Sequence, residues 1–103
     1  MSAHDPTDLA AQDAQTERDS TVSVERRRRE LDDLRWVMGH AQGRRVLQRL
    51  FEQTGVYRSS WNHSGSVMAF NEGRRDIGLW LTAECTEASM DAYLKLLREF
   101  QGK

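Results

Sequence analysis

The only proline in this 103-residue chain is Pro6, so nothing beyond it bars a continuous helix. Apolar residues then recur at helical steps in four stretches. Leu31, Leu34 and Met38, with Val37 alongside, share one stripe and predict a first helix over about 24–38. Gly39 and Gly43 bracket a short break. Val46, Leu47, Leu50 and Phe51 carry a second helix to about Thr54, where Gly55 suits the left-handed residue that closes a helix.

Residues 56–65 are rich in Ser, Asn and Gly and read as a loop. A third helix is expected after Ser66 as N-cap, with Val67, Phe70, Ile77 and Leu81 on its inner face and Leu79 and Trp80 widening that face. Its segment 77–81 is apolar on every side, which predicts a central helix with Trp80 in the core and Gly78 admitting a close neighbour; a short buried strand fits the same five residues. Thr86 or Ser89 can cap a fourth helix whose Met90, Tyr93, Leu94, Leu97 and Phe100 form its stripe. The fold class expected is all-α, a small bundle of three to four helices over 24–103.

Charge divides the chain. Residues 1–25 hold six acids (Asp5, Asp8, Asp13, Glu17, Asp19, Glu25) against Arg18 alone, a balance of −5, which leaves +4 for the rest of a chain whose formal net charge is −1. All eight aromatics lie after that stretch. A segment so poor in large apolar side chains cannot repay its ordering entropy by burial. Residues 1–23 therefore read as an acidic flexible tail, disordered alone or ordered by a partner. Mean hydropathy is −0.76, and no apolar run approaches the roughly 18 residues of a membrane span. The start lacks the basic and apolar regions of a signal peptide, and Cys85, the single cysteine, has no partner for an intrachain disulfide. A reducing cytoplasm is the expected place of synthesis.

Catalytic chemistry is poorly supplied. His4, His40 and His63 fall in the tail, at a helix break and in a loop, without the i, i+4 spacing of a helical metal site. Cys85 has no adjacent base, and no glycine-rich phosphate loop occurs. No enzyme activity, metal or cofactor is expected. The candidates for contact are arginines and loop aromatics instead. Arg26, Arg27, Arg28 and Arg29 point in four directions around a helix, with acids four residues on from Arg26 (Glu30), Arg28 (Asp32) and Arg29 (Asp33). Two Gly-Arg-Arg triplets begin at Gly43 and Gly73, the first contributing Arg44 and Arg45. Thirteen arginines against two lysines favour directed, two-pronged bonds to carboxylates or phosphates. In the loop, Tyr57, Arg58 and Trp61 alternate rings with a cation, suited to stacking on bases or anchoring a protein; the alternative is that both rings fold back over the bundle end.

The blocks Asp33-Leu34-Arg35-Trp36, Gly43-Arg44-Arg45, Gly55-Val56-Tyr57-Arg58-Ser59-Ser60-Trp61 and Phe70-Asn71-Glu72-Gly73-Arg74-Arg75-Asp76-Ile77-Gly78-Leu79-Trp80-Leu81, in that order, resemble a family of short proteins encoded among the virion-morphogenesis genes of short-tailed bacteriophages. The likeness covers roughly residues 31–84 and leaves out the tail and the fourth helix. It implies a non-enzymatic virion-associated structural or assembly protein, near the portal, inside the head or of scaffold type, made in the host cytoplasm and carried to the virion. Partners are then other viral structural proteins, with a homo-oligomer or several copies per particle. The alternative is an arginine-rich protein contacting the viral genome.

Overall fold

A computed structural model describes residues 6–102. Four α-helices follow in order, α1 (Pro6–Met38), α2 (Ala41–Thr54), α3 (Gly65–Ala88) and α4 (Met90–Gln101). Residues 77–81 lie inside α3 and the described residues contain no strand, so the all-α expectation holds and the strand alternative does not. The chain falls into two units that meet in sequence between Glu30 and Leu31.

In the first unit the helix begins at Pro6, well before the start expected near residue 24. Proline is tolerated in a first turn, because its missing N–H would find no partner there. The residues that follow are good helix formers, including Ala10, Ala11, Gln12, Gln15 and Glu17. Leu9, Val22 and Val24 are exposed, so local hydrogen bonds hold this segment helical without burial: Gln15 donates to Asp19 at 2.9 Å and the Thr21 hydroxyl to the Glu17 carbonyl at 2.9 Å. Residues 1–5 of the expected tail lie outside the described residues.

The second unit holds the core. Met38, Leu47, Phe51, Val56, Cys85, Ala88, Tyr93 and Leu96 are buried together, with Leu31, Leu34, Val37 and Leu81 packed against them. Gly39 ends α1, and Gly43 lets α2 cross it closely: a Cβ there would lie 2.7 Å from the Val37 carbonyl carbon. Gly55 closes α2 at φ 67°, as its sequence position predicts. Ser64, two residues before the expected cap, accepts the Val67 N–H and starts α3. Ser89 alone separates α3 from α4, its extended backbone turning the chain and its hydroxyl accepting the Ala92 N–H at 3.2 Å.

The stripe of α4 is rotated from its expected position. Tyr93 and Leu96 are buried, whereas Met90 and Leu94 are exposed. For α3 the correction is larger. Its buried residues are Gly78, Cys85 and Ala88, and Val67, Phe70, Ile77, Leu79 and Trp80 are all exposed. The physical reason is close approach: a Cβ on Gly78 would come within 2.8 Å of the Val56 Cβ and 2.9 Å of the Thr54 Cβ. Small residues let the end of α2 press onto α3, and large ones would hold the two apart.

Candidate interaction surface

Phe70, Gly73, Ile77 and Trp80 recur at steps of three, four and three along α3, which at 3.6 residues per turn puts them on one stripe. Phe70 is 65% exposed, Ile77 59% and Trp80 61%. A Cβ on Gly73 would meet nothing within 4 Å, so the stripe has a notch in its middle. The Arg74 guanidinium lies 5.0 Å from the Phe70 ring centroid, a cation over the edge of an apolar surface. The other two tryptophans are outside as well, Trp36 at 68% and Trp61 at 64% exposure. Trp36 packs on His40 with centroids 4.6 Å apart, and Trp61 on His63 at 4.7 Å. Ordinarily such rings supply a small core with much of its burial. Here Phe51 and Tyr93, with Met38, Leu47 and Leu96, fill that role.

The loop residues chosen from the sequence separate. Tyr57 folds back onto the bundle end, its ring centroid 5.8 Å from that of Phe51 and 6.0 Å from that of Phe100, its hydroxyl 3.0 Å from that of Tyr93. Burial and that hydrogen bond push the Tyr57 phenol above its ordinary range. Arg58 turns back through Gly55 and donates to the Glu52 carbonyl at 2.8 Å. Trp61 stays outside.

Arg44 is also placed differently from its expected exposure. It is 7% exposed, donates from Nε to Glu99 Oε2 at 2.9 Å and from Nη1 to the Met38 carbonyl at 2.8 Å, and so joins α1, α2 and α4. The hydrogen bond and charge of Arg44 hold the Glu99 carboxyl below the usual carboxylate range. Arg45, beside it, is exposed. In the run 26–29 Arg28 pairs with Glu25, Arg27 with Glu30 at 3.3 Å, and Arg29 reaches Glu25 at 3.9 Å. Glu25, one turn upstream, was not among the expected partners. Cys85 is buried, and burial pushes its thiol up to about 11, opposite to the shift that activates a nucleophile. No helix among the described residues is long and apolar enough to cross a membrane.

The fold and surface define a class: a small all-α protein whose third helix packs mainly through Gly, Cys and Ala and turns most of its large apolar side chains outward. Within that class the chain belongs to the family described as Bbp19-like phage protein, which it matches over residues 34–98. The match begins inside α1 and runs well into α4, past residue 84 where the resemblance read from the sequence stops. No curated protein and no solved structure gives a significant match.

Proposed function

We propose that this phage protein is a non-enzymatic structural or assembly component of a short-tailed virion, docking through the outer face of α3 on other viral proteins such as the portal, scaffold or internal head proteins. The carrying observation is the exposure of Phe70, Ile77 and Trp80 on one stripe. Exposed contiguous apolar surface on a soluble protein marks an interaction site more often than an accident of packing. Multiple copies are part of the proposal. The three, four, three spacing reads the same from either end, so two antiparallel copies of α3 would set Ile77 of one protomer against the partner's Gly73, and Phe70 against the partner's Trp80. At roughly three-fifths of about 150–250 Å² each, the three side chains offer on the order of 350 Å² per protomer. Such a pair sits at the small, weak end of protein interfaces.

Mass spectrometry of purified particles and assembly precursors tests this directly. The wild-type chain should be found in several copies, and an Ile77→Glu, Trp80→Glu double variant should keep its helicity and be lost from the particles. Light scattering of the isolated chain should show concentration-dependent self-association that the same variant abolishes. Normal incorporation of a folded double variant, or absence of the wild type from particles and precursors alike, would refute the reading.

A further inference from the structure

Three arginines meet where α2 ends. Arg58, Arg74 and Arg75 line one cavity of about 120 Å³ with Ser59, Ser60 and Asn71, and no carboxylate side chain lines it. Local structure explains how they converge. The left-handed turn at Gly55 sends the chain back so that Arg58 reaches the Glu52 carbonyl, and Arg74 on α3 donates to the Gln53 carbonyl at 3.1 Å and to Asn71 Oδ1 at 3.0 Å. These bonds fix two guanidinium groups and cover the negative end of the α2 dipole.

Capping α2 does not account for the whole cluster. Arg75 is half-buried in the cavity wall and has neither an ion pair nor a hydrogen bond among the described residues. Arg74 also keeps a buried Nε–H with no acceptor, an unmet donor of a kind that folded proteins seldom retain. The Ser59 hydroxyl accepts the Trp61 N–H at 3.1 Å, which leaves its own proton to give. Elsewhere in the chain Arg27, Arg28, Arg29, Arg35 and Arg44 each have a carboxylate within 4 Å. None of these three has one.

We propose that this pocket binds a phosphate group. Three positive charges gathered with no carboxylate within 4 Å of any of them call for an anion, and the nearby Glu72 carboxylate accepts from the Ser60 hydroxyl instead. A tetrahedral oxyanion bearing more than one charge uses donors that converge from two elements better than a flat, singly charged carboxylate does. At about 120 Å³ the cavity is well below the roughly 300–1,000 Å³ of a pocket that takes a whole small molecule. It admits one phosphoryl head and leaves any attached sugar or base outside, so recognition would not depend on base sequence. The pocket touches the outer stripe of α3 only through Arg74, which lies over Phe70, and Arg75 makes no such contact, so the Arg75 variant tests the pocket separately from virion docking.

The experiment uses the full chain and two probes. Inorganic phosphate is titrated by calorimetry against chloride at equal ionic strength, and a fluorescent single-stranded DNA oligonucleotide is titrated by anisotropy. Arg75→Gln removes a side chain that makes no bond in the fold, and Arg45→Gln serves as an exposed control off the pocket. Phosphate should bind in preference to chloride, with Kd raised at least tenfold by Arg75→Gln and changed less than twofold by Arg45→Gln. Oligonucleotide binding displaced by phosphate, weakened by Arg75→Gln across unrelated sequences and with a salt slope shallower by about 0.7 per lost contact, would identify a nucleic-acid backbone as the source. Phosphate binding without oligonucleotide binding would identify free phosphate or a small ester. The proposal is overturned if neither probe binds beyond chloride, if Arg75→Gln leaves binding intact, or if polyglutamate occupies the pocket while phosphate does not.

Discussion

Replacing Gly78 and Gly73 with alanine, one at a time, should move stability in opposite directions although both lie within α3. In a helix interior alanine is favoured over glycine by about 0.8–1.0 kcal/mol, from backbone entropy alone. At Gly73 nothing lies within 4 Å of the new methyl group, so the full gain should appear. At Gly78 the methyl would run into Thr54 Oγ1, the Thr54 Cβ at 2.9 Å and the Val56 Cβ at 2.8 Å. Neither neighbour is free to yield. Thr54 donates to the Phe51 carbonyl at 3.0 Å, and Val56 is part of the core. Overpacking costs about 1–3 kcal/mol, and contact with two Cβ atoms rather than flexible ends argues for the upper part of that range. Subtracting the propensity gain leaves a net loss of about 2 kcal/mol.

A domain of this size shifts its melting point by about 4–8 °C per kcal/mol. Gly73→Ala should therefore melt about 4–8 °C higher than the wild type and Gly78→Ala about 8–16 °C lower, followed by far-UV circular dichroism at low protein concentration so that self-association adds nothing. A Gly78→Ala chain melting at or above the wild type would show that the end of α2 does not press on α3. A Gly73→Ala chain melting lower would show that the outer face of α3 is already covered.

Trp80→Ala should change stability by no more than about 0.5 kcal/mol, as at other exposed sites, whereas Phe51→Ala at the fully buried centre should cost about 3–5 kcal/mol; urea titrations of the two variants separate these outcomes, and equal losses would return Trp80 to the core. Cys85, with its thiol raised to about 11 by burial, should react with a thiol reagent at pH 8 far more slowly in the native chain than in urea, and equal rates would show an accessible thiolate. The Glu99 carboxyl is lowered by Arg44, so the stability it contributes is present above its unfolded pKa, about 4.3, and is lost as pH falls through the lower folded value. Glu99→Gln should accordingly flatten the fall in melting temperature between about pH 5 and 3, and an unchanged slope would mean that the pair contributes nothing.

Helix ends were legible in the sequence where a single residue's chemistry decides them. Gly55 can take the left-handed conformation that stops α2, and Ser89 can supply the oxygen that α4 needs at its first turn, whatever the rest of the fold does. The start of α1 was not legible from burial arguments, because residues 6–23 are helical through local bonds and propensity, and those from Thr7 on bury little. The burial of Arg44 was not legible for another reason. Its partner Glu99 lies far along the chain, and only the packing of α2 against α4 brings the two within 2.9 Å.

The side of α3 that faces inward is the part of the fold that bears most on function, and periodicity could not supply it. A repeat of apolar residues says that Phe70, Ile77 and Trp80 share a face; it does not say whether that face meets this chain or another. Size carries the missing information. Gly78, Cys85 and Ala88 fill the seam against α2 and α4 because close approach excludes larger groups, and adjacent residues such as Ile77 and Gly78 point about 100° apart, so burying the small one turns the large one out. The same constraint brings residues 54–60 onto α3, and with them Arg58 to Arg74 and Arg75. One close contact at Gly78 thus gives both surfaces their form, the apolar stripe on the outside of α3 and the arginine pocket at the end of α2. A substitution that forces that seam apart should damage both together, whereas Ile77→Glu and Arg75→Gln should each disable one and spare the other.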